Sequence, residues 1–325
     1  MDLGQIYDPV RDDLDAVSRL LRDHLSADDA FIGQLVEHVL HTKGKLLRPA
    51  LVCLSALACG GGSDERLDVA GAVELIHVAS LIHDDVIDAA HLRRGQASVN
   101  AIWGNQVAVL LGDYLFSKSF HMLALVQNLD LAAAMAAATV RMSQAEIKQI
   151  KYGNTPHTDE AIYFDIIEGK TAQLFSAACR CGALTAGAPG SDTAALSKFG
   201  LEWGMAFQIT DDALDLTATP EQVGKPIGSD IQTGKVTLPI IYALATASPT
   251  DRARLAELID GAPSGEAAAA GEVSAILGRC GAIDRALETA RAHARTASAT
   301  LDRVRRSAAR DSLAALVDYA AVRTH

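Results

Sequence analysis

The chain has 325 residues, of which 49% are hydrophobic and 21% are charged, and its formal net charge is −11 at pH 7. These proportions are typical of a globular protein with a sizeable core. The negative charge argues against a nucleic-acid binder, which needs a basic face to neutralise phosphates.

No apolar run reaches the roughly 18 residues of a membrane span, and the N-terminus lacks the apolar core of a secretion signal. The five cysteines include no CxxC pair, so neither a zinc site nor a disulfide framework is expected. We therefore expect a soluble protein of the reducing cytoplasm, with no membrane span.

Apolar residues recur at three- and four-residue spacing through most of the chain, and no convincing strand alternation is present. Alanine and leucine, the strongest helix formers, are abundant. No composition shift marks a domain boundary, so we expect one all-α domain over residues 1–325. Helices are predicted at about 9–25, 30–42, 48–60, 66–88, 98–127, 130–153, 158–186, 192–217, 236–247, 250–260, 269–278, 281–297 and 300–323.

In chain order, the first candidate ligands lie in Gly44-Lys45-Leu46-Leu47-Arg48-Pro49, at the start of a predicted helix. Arginine offers phosphate a planar fork and lysine a point charge. The segment is not a Walker P-loop, because the strand and the preceding glycines are missing. Taken singly, such cations are more often surface charges than ligands.

An acidic motif, Asp84-Asp85-Val86-Ile87-Asp88, ends the apolar run that starts at Val73. A second, Asp211-Asp212-Ala213-Leu214-Asp215, ends the run from Trp203. In each motif the first and fifth carboxylates share one helix face, where like charges are destabilising unless a cation lies between them. Mg²⁺ suits such oxygen ligands. The alternative is a solvated acidic patch, which is less compatible with two such apolar helices.

Further cations accompany the acidic motifs. Arg93-Arg94-Gly95 follows the first motif, and Gly169-Lys170-Thr171 interrupts an otherwise apolar helix. Lys225 and Lys235 lie in a glycine-rich segment after the second motif. The case for a phosphate site rests on the joint placement of these groups.

This ordered set of motifs resembles the all-trans polyprenyl (isoprenyl) diphosphate synthase family, long-chain type, from Gly44 to about Pro239. The resemblance implies a single large helical bundle around a central cavity, of the isoprenoid synthase type, and a homodimer. It also implies about three Mg²⁺ ions between the two acidic motifs. The implied reaction condenses isopentenyl diphosphate with an allylic diphosphate.

The resemblance also assigns roles to individual residues. The implied metal ligands are Asp84, Asp88 and Asp211, supported by Asp85, Asp212 and Asp215. The implied ligands of the allylic diphosphate are Arg93, Lys170, Gln208, Lys225 and Lys235. The implied isopentenyl diphosphate site comprises Lys45, Arg48, His77 and Arg94, and Lys170, Thr171 and Gln208 would line the region where the carbocation forms. Asp84, Asp88, Lys170, Asp211 and Lys225 would carry the catalysis.

The expected chemistry is ionisation, condensation and elimination, in which metal and cationic groups stabilise the departing diphosphate. The departed diphosphate is the expected base. His77 and His83 are alternatives, although a histidine on a buried helix is more often simply hydrogen-bonded.

Product length is predicted from Ala79 and Ser80, which lie about one helix turn before Asp84. Farnesyl-type relatives have bulky aromatics there, whereas these small residues leave the path open. One helix turn rises by about the length of one isoprene unit, so bulky residues at these positions would stop growth early. We expect a product in the range of quinone side chains, about seven to ten isoprene units. Leu115, Phe116 and Phe120 are candidates for the floor of the tunnel. Alternatively, the two small residues only permit close helix packing.

Three other functions compete with this prediction. A farnesyl or geranylgeranyl synthase would share every motif. A class I terpene cyclase would not need the basic set at Lys45, Arg48 and Arg94. A non-catalytic partner subunit would typically lack one of the two acidic motifs, whereas both are intact here.

Overall fold

The structure is a computed structural model that describes residues 2–41, 44–61, 63–153, 155, 159–216, 235–260 and 267–322. The described chain divides into two compact units, and each is treated separately below. The first unit comprises Met1–Thr139, Leu174–Gly200 and Thr300–Leu316, and the second comprises Val140–Gln173, Leu201–Ala299 and Val317–His325. The prediction of one domain over residues 1–325 stays a prediction.

Helices dominate the N-terminal half of the chain, which also contains a β-hairpin with strands of two residues each. The elements are α1 (Leu3–Ile6), a 3₁₀ turn (Asp8–Val10), α2 (Arg11–Leu25), α3 (Ala30–His41), α4 (Leu47–Ala58), α5 (Glu65–Ile87), β1 (Leu92–Arg93), β2 (Gln96–Ala97), α6 (Val99–Leu125) and α7 (Leu129–Tyr152).

The C-terminal half is also helical. Its elements are α8 (Glu160–Ile167), a π turn (Glu168–Ala172), α9 (Gln173–Thr185), α10 (Gly190–Asp215), α11 (Leu238–Thr246), α12 (Pro249–Asp260), α13 (Ala267–Arg279), α14 (Ala282–Thr300), a 3₁₀ turn (Leu301–Arg303) and α15 (Ala308–Val322). Within the described residues, no helix is both long and apolar enough to cross a membrane.

The all-α prediction is confirmed, and most predicted helices agree with the observed ones to within two or three residues. Two segments differ. The helix predicted at 300–323 is broken, because Val304 is extended and the Ser307 hydroxyl accepts a hydrogen bond from the Arg310 N–H at 3.2 Å. The helix predicted at 158–186 contains the π turn.

In the first unit, α5 packs against α2, α4 and α6. Every residue from Val69 to Ile76 is buried, as expected for a central helix that is apolar on all sides. Two glycines allow α5 and α6 to approach. A Cβ on Gly71 would lie 2.8 Å from Met122 Cε, and one on Gly112 would lie 2.2 Å from His83 Nε2.

The core of the second unit is built by side chains from α8 and from α10 to α14. Ile209 of α10 and Leu238 of α11 are fully buried there, as is Leu277 of α13. Tyr163 belongs to this core, as do Ile209 and Leu216 on either side of the second acidic motif in sequence, so that motif rests on a packed support.

Candidate active site

The first acidic motif occupies the C-terminal turn of α5. The Asp88 N–H donates to the Asp84 carbonyl oxygen at 2.8 Å, so these two residues are stacked across one turn. Both side chains are partly exposed, whereas Asp85 is only 4% exposed. Because a helix C-terminus carries partial negative charge, acids gathered there favour a bound cation.

Asp85 is already occupied by protein groups. Arg93 Nε donates to Asp85 Oδ1 at 3.0 Å, and the Arg93 Nη2 group makes a second contact with the same oxygen. Asn100 Nδ2 donates to the backbone oxygens of Asp85 and Ala90, at 3.2 and 3.0 Å. Within this motif, Asp85 is thus turned toward protein groups, whereas Asp84 and Asp88 have partly exposed side chains.

The β-hairpin separates the two adjacent arginines. Leu92 pairs with Ala97 and Arg93 with Gln96, which leaves Arg94 and Gly95 as a two-residue loop. Both have positive φ, 51° and 77°, as a type I′ turn requires. A non-glycine residue in this conformation is strained by about 1 kcal/mol or more. Here the conformation places the Arg94 side chain on a different path from that of Arg93.

Arg94 lies against the loop that precedes α4. A Cβ added to Gly44 would lie only 2.9 Å from Arg94 Nη1, so the guanidinium fits there because Gly44 has no side chain. Leu46 holds the loop in a left-handed conformation with φ 49°, and the Tyr7 hydroxyl donates to the Lys45 carbonyl oxygen at 2.7 Å. The loop is thus held from two sides, and the Lys45 side chain is exposed.

Arg48 is half-buried over the ring of Phe175, with its Cζ atom 4.3 Å from the ring centroid. Its Nε is buried and has no hydrogen-bond partner among the described residues. Burial lowers the pKa of Arg48 to about 10; Glu74 opposes this shift, and Arg94 adds to it. A guanidinium with a spare buried donor is suited to an anionic ligand.

Lys45, Arg48, His77 and Arg94 are here called the basic cluster, and the buried carboxyl group of Glu74 lies beside its arginines. Burial raises the pKa of Glu74, although the nearby arginines Arg48 and Arg94 oppose that shift. Burial lowers the pKa of His77 well below its usual value, and the surrounding arginines add to the effect. His77 is therefore neutral at neutral pH and can offer a hydrogen bond but no charge.

The second acidic motif is in the last turn of α10, in the second unit. Asp212 is 6% exposed, and both of its carboxylate oxygens accept hydrogen bonds. The Tyr163 hydroxyl donates to Oδ2 at 2.6 Å, and Gln208 Nε2 donates to Oδ1 at 2.7 Å. Asp211 and Asp215 remain partly exposed, which repeats the arrangement of the first motif.

Lys170 and Thr171 lie in the π turn between α8 and α9. Such wide turns often occur at functional sites. The Thr171 hydroxyl donates to Gln208 Oε1 at 2.8 Å, and Lys170 Nζ is 2.5 Å from Glu146 Oε2. A Cβ on Gly169 would lie 2.7 Å from the Ala145 Cβ, so the turn packs closely on α7.

Among the remaining predicted residues, Lys235 is partly exposed just before α11, next to Val236, whose N–H donates to the Gly153 oxygen at 2.9 Å. Lys225 lies outside the described residues. Ala79 has no exposed surface, whereas Ser80 is partly exposed and its hydroxyl donates to the His77 carbonyl oxygen at 2.7 Å.

The candidate floor residues differ in their surroundings. Leu115 is fully buried, Phe116 stacks on His83 at 5.9 Å between ring centroids, and Phe120 is 37% exposed. His83 Nε2 is 3.1 Å from the Val109 carbonyl oxygen, which agrees with the alternative in which His83 is simply hydrogen-bonded.

Sequence reasoning missed the residues that hold the predicted ligands in place. Tyr7, Asn100, Glu146 and Tyr163 belong to none of the motifs, although each contacts a motif residue. No local signal marks them, because the contacts join positions distant in sequence.

The carboxylates fit a divalent metal bound together with a diphosphate. Among the described residues, no group of three or more His, Cys, Asp or Glu side chains could hold an ion by itself. Mg²⁺ is commonly bound by one or two carboxylates, with phosphate oxygens and water completing its shell. The half-exposed pairs Asp84–Asp88 and Asp211–Asp215 match that donor set.

An all-helical fold with two such acidic motifs and a basic cluster defines a class of enzymes that act on prenyl diphosphates. The Polyprenyl synthetase family model matches residues 29–276, and the chain belongs to this family.

Curated relatives support the same assignment. The chain is 41% identical to heptaprenyl diphosphate synthase component 2 of Geobacillus stearothermophilus, over 88% of both chains. It is 38% identical to a short chain isoprenyl diphosphate synthase of Methanothermobacter thermautotrophicus, over 89% of both. It is 35% identical to the octaprenyl diphosphate synthase of Haemophilus influenzae, over 91% of this chain and 90% of the relative.

Solved structures show the same fold. A Caulobacter crescentus polyprenyl synthase complexed with calcium and isoprenyl diphosphate is 34% identical, with a TM-score of 0.94 over 98% of this chain and 97% of that one. A Rhodobacter capsulatus decaprenyl diphosphate synthase is 33% identical, with a TM-score of 0.94 over 100% of both. The predicted family, the isoprenoid synthase fold and the prenyltransferase class are confirmed.

Proposed function

We propose that the chain condenses isopentenyl diphosphate with an allylic diphosphate in a Mg²⁺-dependent reaction, and that its product is a long-chain polyprenyl diphosphate. The observation that carries this proposal is the arrangement shared by both acidic motifs. In each, the second aspartate is buried against protein donors, while the first and fifth are partly exposed at a helix end.

Asp84, Asp88, Asp211 and Asp215 would hold the metal. About three Mg²⁺ ions are expected, as in the family that the sequence resembles. When bound, the ions would neutralise charge on the departing diphosphate. The Caulobacter crescentus relative, complexed with calcium and isoprenyl diphosphate, supports a divalent metal and a substrate of this type.

The protein groups would then bind and orient the two substrates. Arg93, Lys170, Gln208, Lys225 and Lys235 would contact the allylic diphosphate, and the basic cluster would bind isopentenyl diphosphate. The allylic C–O bond breaks, and the isopentenyl double bond forms the new C–C bond. The proton lost in the last step passes to the departed diphosphate. Because its pKa is depressed, neutral His77 would donate a hydrogen bond rather than accept that proton.

The proposed product has about seven to ten isoprene units, the range of quinone side chains, because the small residues Ala79 and Ser80, about one helix turn before Asp84, leave the path open. Relatives named for octaprenyl and heptaprenyl products support this length over farnesyl or geranylgeranyl. Partly exposed Ser80 would lie beside the growing chain. Chromatography of the dephosphorylated products, made with excess isopentenyl diphosphate, tests the length, and a main product of three or four units would contradict it.

A homodimer in the cytoplasm is part of the same proposal. Val109 and Leu110 on α6 are 42% and 67% exposed, and an exposed apolar patch of this kind often marks a protein interface. Light scattering coupled to size-exclusion chromatography measures the assembly, and a monomer would contradict the proposal.

One relative's name raises a second candidate. Heptaprenyl diphosphate synthase component 2 is, by its name, one part of a larger enzyme. The purified chain alone, assayed with Mg²⁺ and both substrates, distinguishes the alternatives. Turnover supports a self-sufficient enzyme, whereas turnover only after a second component is added supports a heteromer. A cyclised hydrocarbon from geranylgeranyl diphosphate alone would instead indicate a terpene cyclase.

A further inference from the structure

We propose that Tyr163 is a positioning residue for the second acidic motif, acting through Asp212 on the metal-facing carboxylates of Asp211 and Asp215. This inference rests on the proposed function and extends it to a residue outside the DDxxD, GKT and glycine-rich motifs.

The contact between Tyr163 and Asp212 is short and protected from water. The hydroxyl of Tyr163, on α8, donates to Asp212 Oδ2 at 2.6 Å, and the two residues are 4% and 6% exposed. Hydrogen bonds to a charged acceptor are roughly twice as strong as neutral ones. Tyr163 thereby links α8 to the last turn of α10, 49 residues further along the chain.

The opposite oxygen of Asp212 is held by a second arm. Gln208 Nε2 donates to Asp212 Oδ1 at 2.7 Å, and the Thr171 hydroxyl donates to Gln208 Oε1 at 2.8 Å. The Thr171 bond sets the amide orientation, because the amide oxygen accepts from Thr171 and so its nitrogen faces Asp212. The carboxylate of Asp212 is therefore clamped between Tyr163 and the π turn.

The clamp fixes the positions of the carboxylates in the last turn of α10. Asp211 is the immediate neighbour of the clamped residue, and Asp215 is one turn from Asp211 on the same face. If the Tyr163 hydroxyl is removed, the buried carboxylate of Asp212 loses this donor. The Asp212 side chain is then held less firmly, and with it the geometry of the Asp211–Asp215 pair. Loss of such a supporting hydrogen bond typically weakens metal affinity by about 10- to 100-fold.

The chain contains a matched control. Tyr242 is also buried, at 3% exposed, and belongs to the same core. Its hydroxyl donates to Glu160 Oε1 at 2.8 Å, a tyrosine–carboxylate bond that does not involve the acidic motif, and lies 3.2 Å from Thr289 Oγ1. Tyr163→Phe and Tyr242→Phe therefore remove the same chemical group from one core, and only the first removes a contact with the second acidic motif.

The experiment measures Mn²⁺ binding by electron paramagnetic resonance, with inorganic diphosphate present, and separately the Mg²⁺ concentration for half-maximal rate. For Tyr163→Phe we expect the Mn²⁺ dissociation constant and the Mg²⁺ concentration for half-maximal rate each to rise by about tenfold or more. For Tyr242→Phe both quantities should stay within about twofold of the wild-type values. Equal metal dependence in Tyr163→Phe and the wild type, or an equal shift in both variants, would overturn the proposal.

Two further measurements keep the outcome interpretable. A wild-type protein that binds Mn²⁺ but does not elongate would refute the proposed function alone, since the binding assay needs no turnover. If Tyr163→Phe does not fold, Tyr163→Met removes the same hydroxyl with a side chain that adapts to irregular core space, and Tyr242→Met is its control. Unchanged Mn²⁺ binding in Tyr163→Met would overturn the proposal, and a shift confined to that variant would support it.

Discussion

Replacing Gly44 by alanine tests whether Arg94 binds isopentenyl diphosphate from the position that the structure gives it. The added Cβ would lie 2.9 Å from Arg94 Nη1 and 3.3 Å from Nη2. Comfortable contacts between heavy atoms are about 3.5 to 4.0 Å. The guanidinium must therefore retreat by roughly 0.5 to 1 Å, and it can do so because it ends a flexible side chain.

The size of the effect follows from that displacement. A shift of this kind weakens a charge-assisted hydrogen bond, which contributes about 1.5 to 3 kcal/mol, and each 1.4 kcal/mol is about a tenfold change. Complete loss of the bond would raise KM for isopentenyl diphosphate by roughly 10- to 100-fold, so we expect a rise of about threefold or more, up to that limit. The free energy of unfolding should change by less than about 0.5 kcal/mol, since no backbone atom is crowded.

The assay is a steady-state measurement in which each substrate is varied while the other is saturating. KM for the allylic diphosphate should stay within about twofold, because the three atoms nearest to the added Cβ all belong to Arg94. Gly33→Ala is the control, as a Cβ there has no neighbour within 4 Å. An unchanged KM for isopentenyl diphosphate in folded Gly44→Ala would refute the role assigned to Arg94.

Three other predictions follow from burial and close contacts. The pKa of His77 is depressed in the folded state. Below a pH of about 6.5, His77 therefore binds a proton in the unfolded chain but stays neutral in the folded chain. The free energy of unfolding should therefore decrease as the pH is lowered, by at most about 1.4 kcal/mol per pH unit. In urea unfolding, His77→Gln should show a weaker pH dependence than the wild type. Gly182→Ala places a Cβ 2.2 Å from the Val52 carbonyl oxygen, which should lower the free energy of unfolding by about 3 kcal/mol; an unchanged melting temperature would contradict this. Ser80→Phe should shorten the product more than Ala79→Phe, because only Ser80 is partly exposed, and equal shortening on chromatography would contradict that reasoning.

Helix periodicity and motif order were sufficient to predict the all-α class, the family and the acidic motifs. Periodicity could not reveal the π turn at Glu168–Ala172, because one extra residue within a 26-residue apolar stretch changes the 3.6-residue repeat too little. Nor could it reveal the hairpin at Arg93, whose strands are only two residues long. That hairpin depends on a positive φ at Arg94, a conformation that its residue type does not favour.

The same limit applies to the roles of the six aspartates. The resemblance separated the first aspartate of each motif from the second, but the sequence could not show which protein groups hold the second carboxylate. Asp85 meets an arginine from the hairpin, whereas Asp212 meets a tyrosine from α8 and a glutamine one turn before it. Two chemically different sets of partners therefore produce one arrangement, in which the second carboxylate of the motif is anchored to protein groups while the first and third are partly exposed. We expect metal binding to tolerate a change in the side chain that holds the second aspartate, as long as the new side chain is a buried hydrogen-bond donor. Arg93→Lys, which keeps a donor, should then preserve metal binding better than Arg93→Met, which has none.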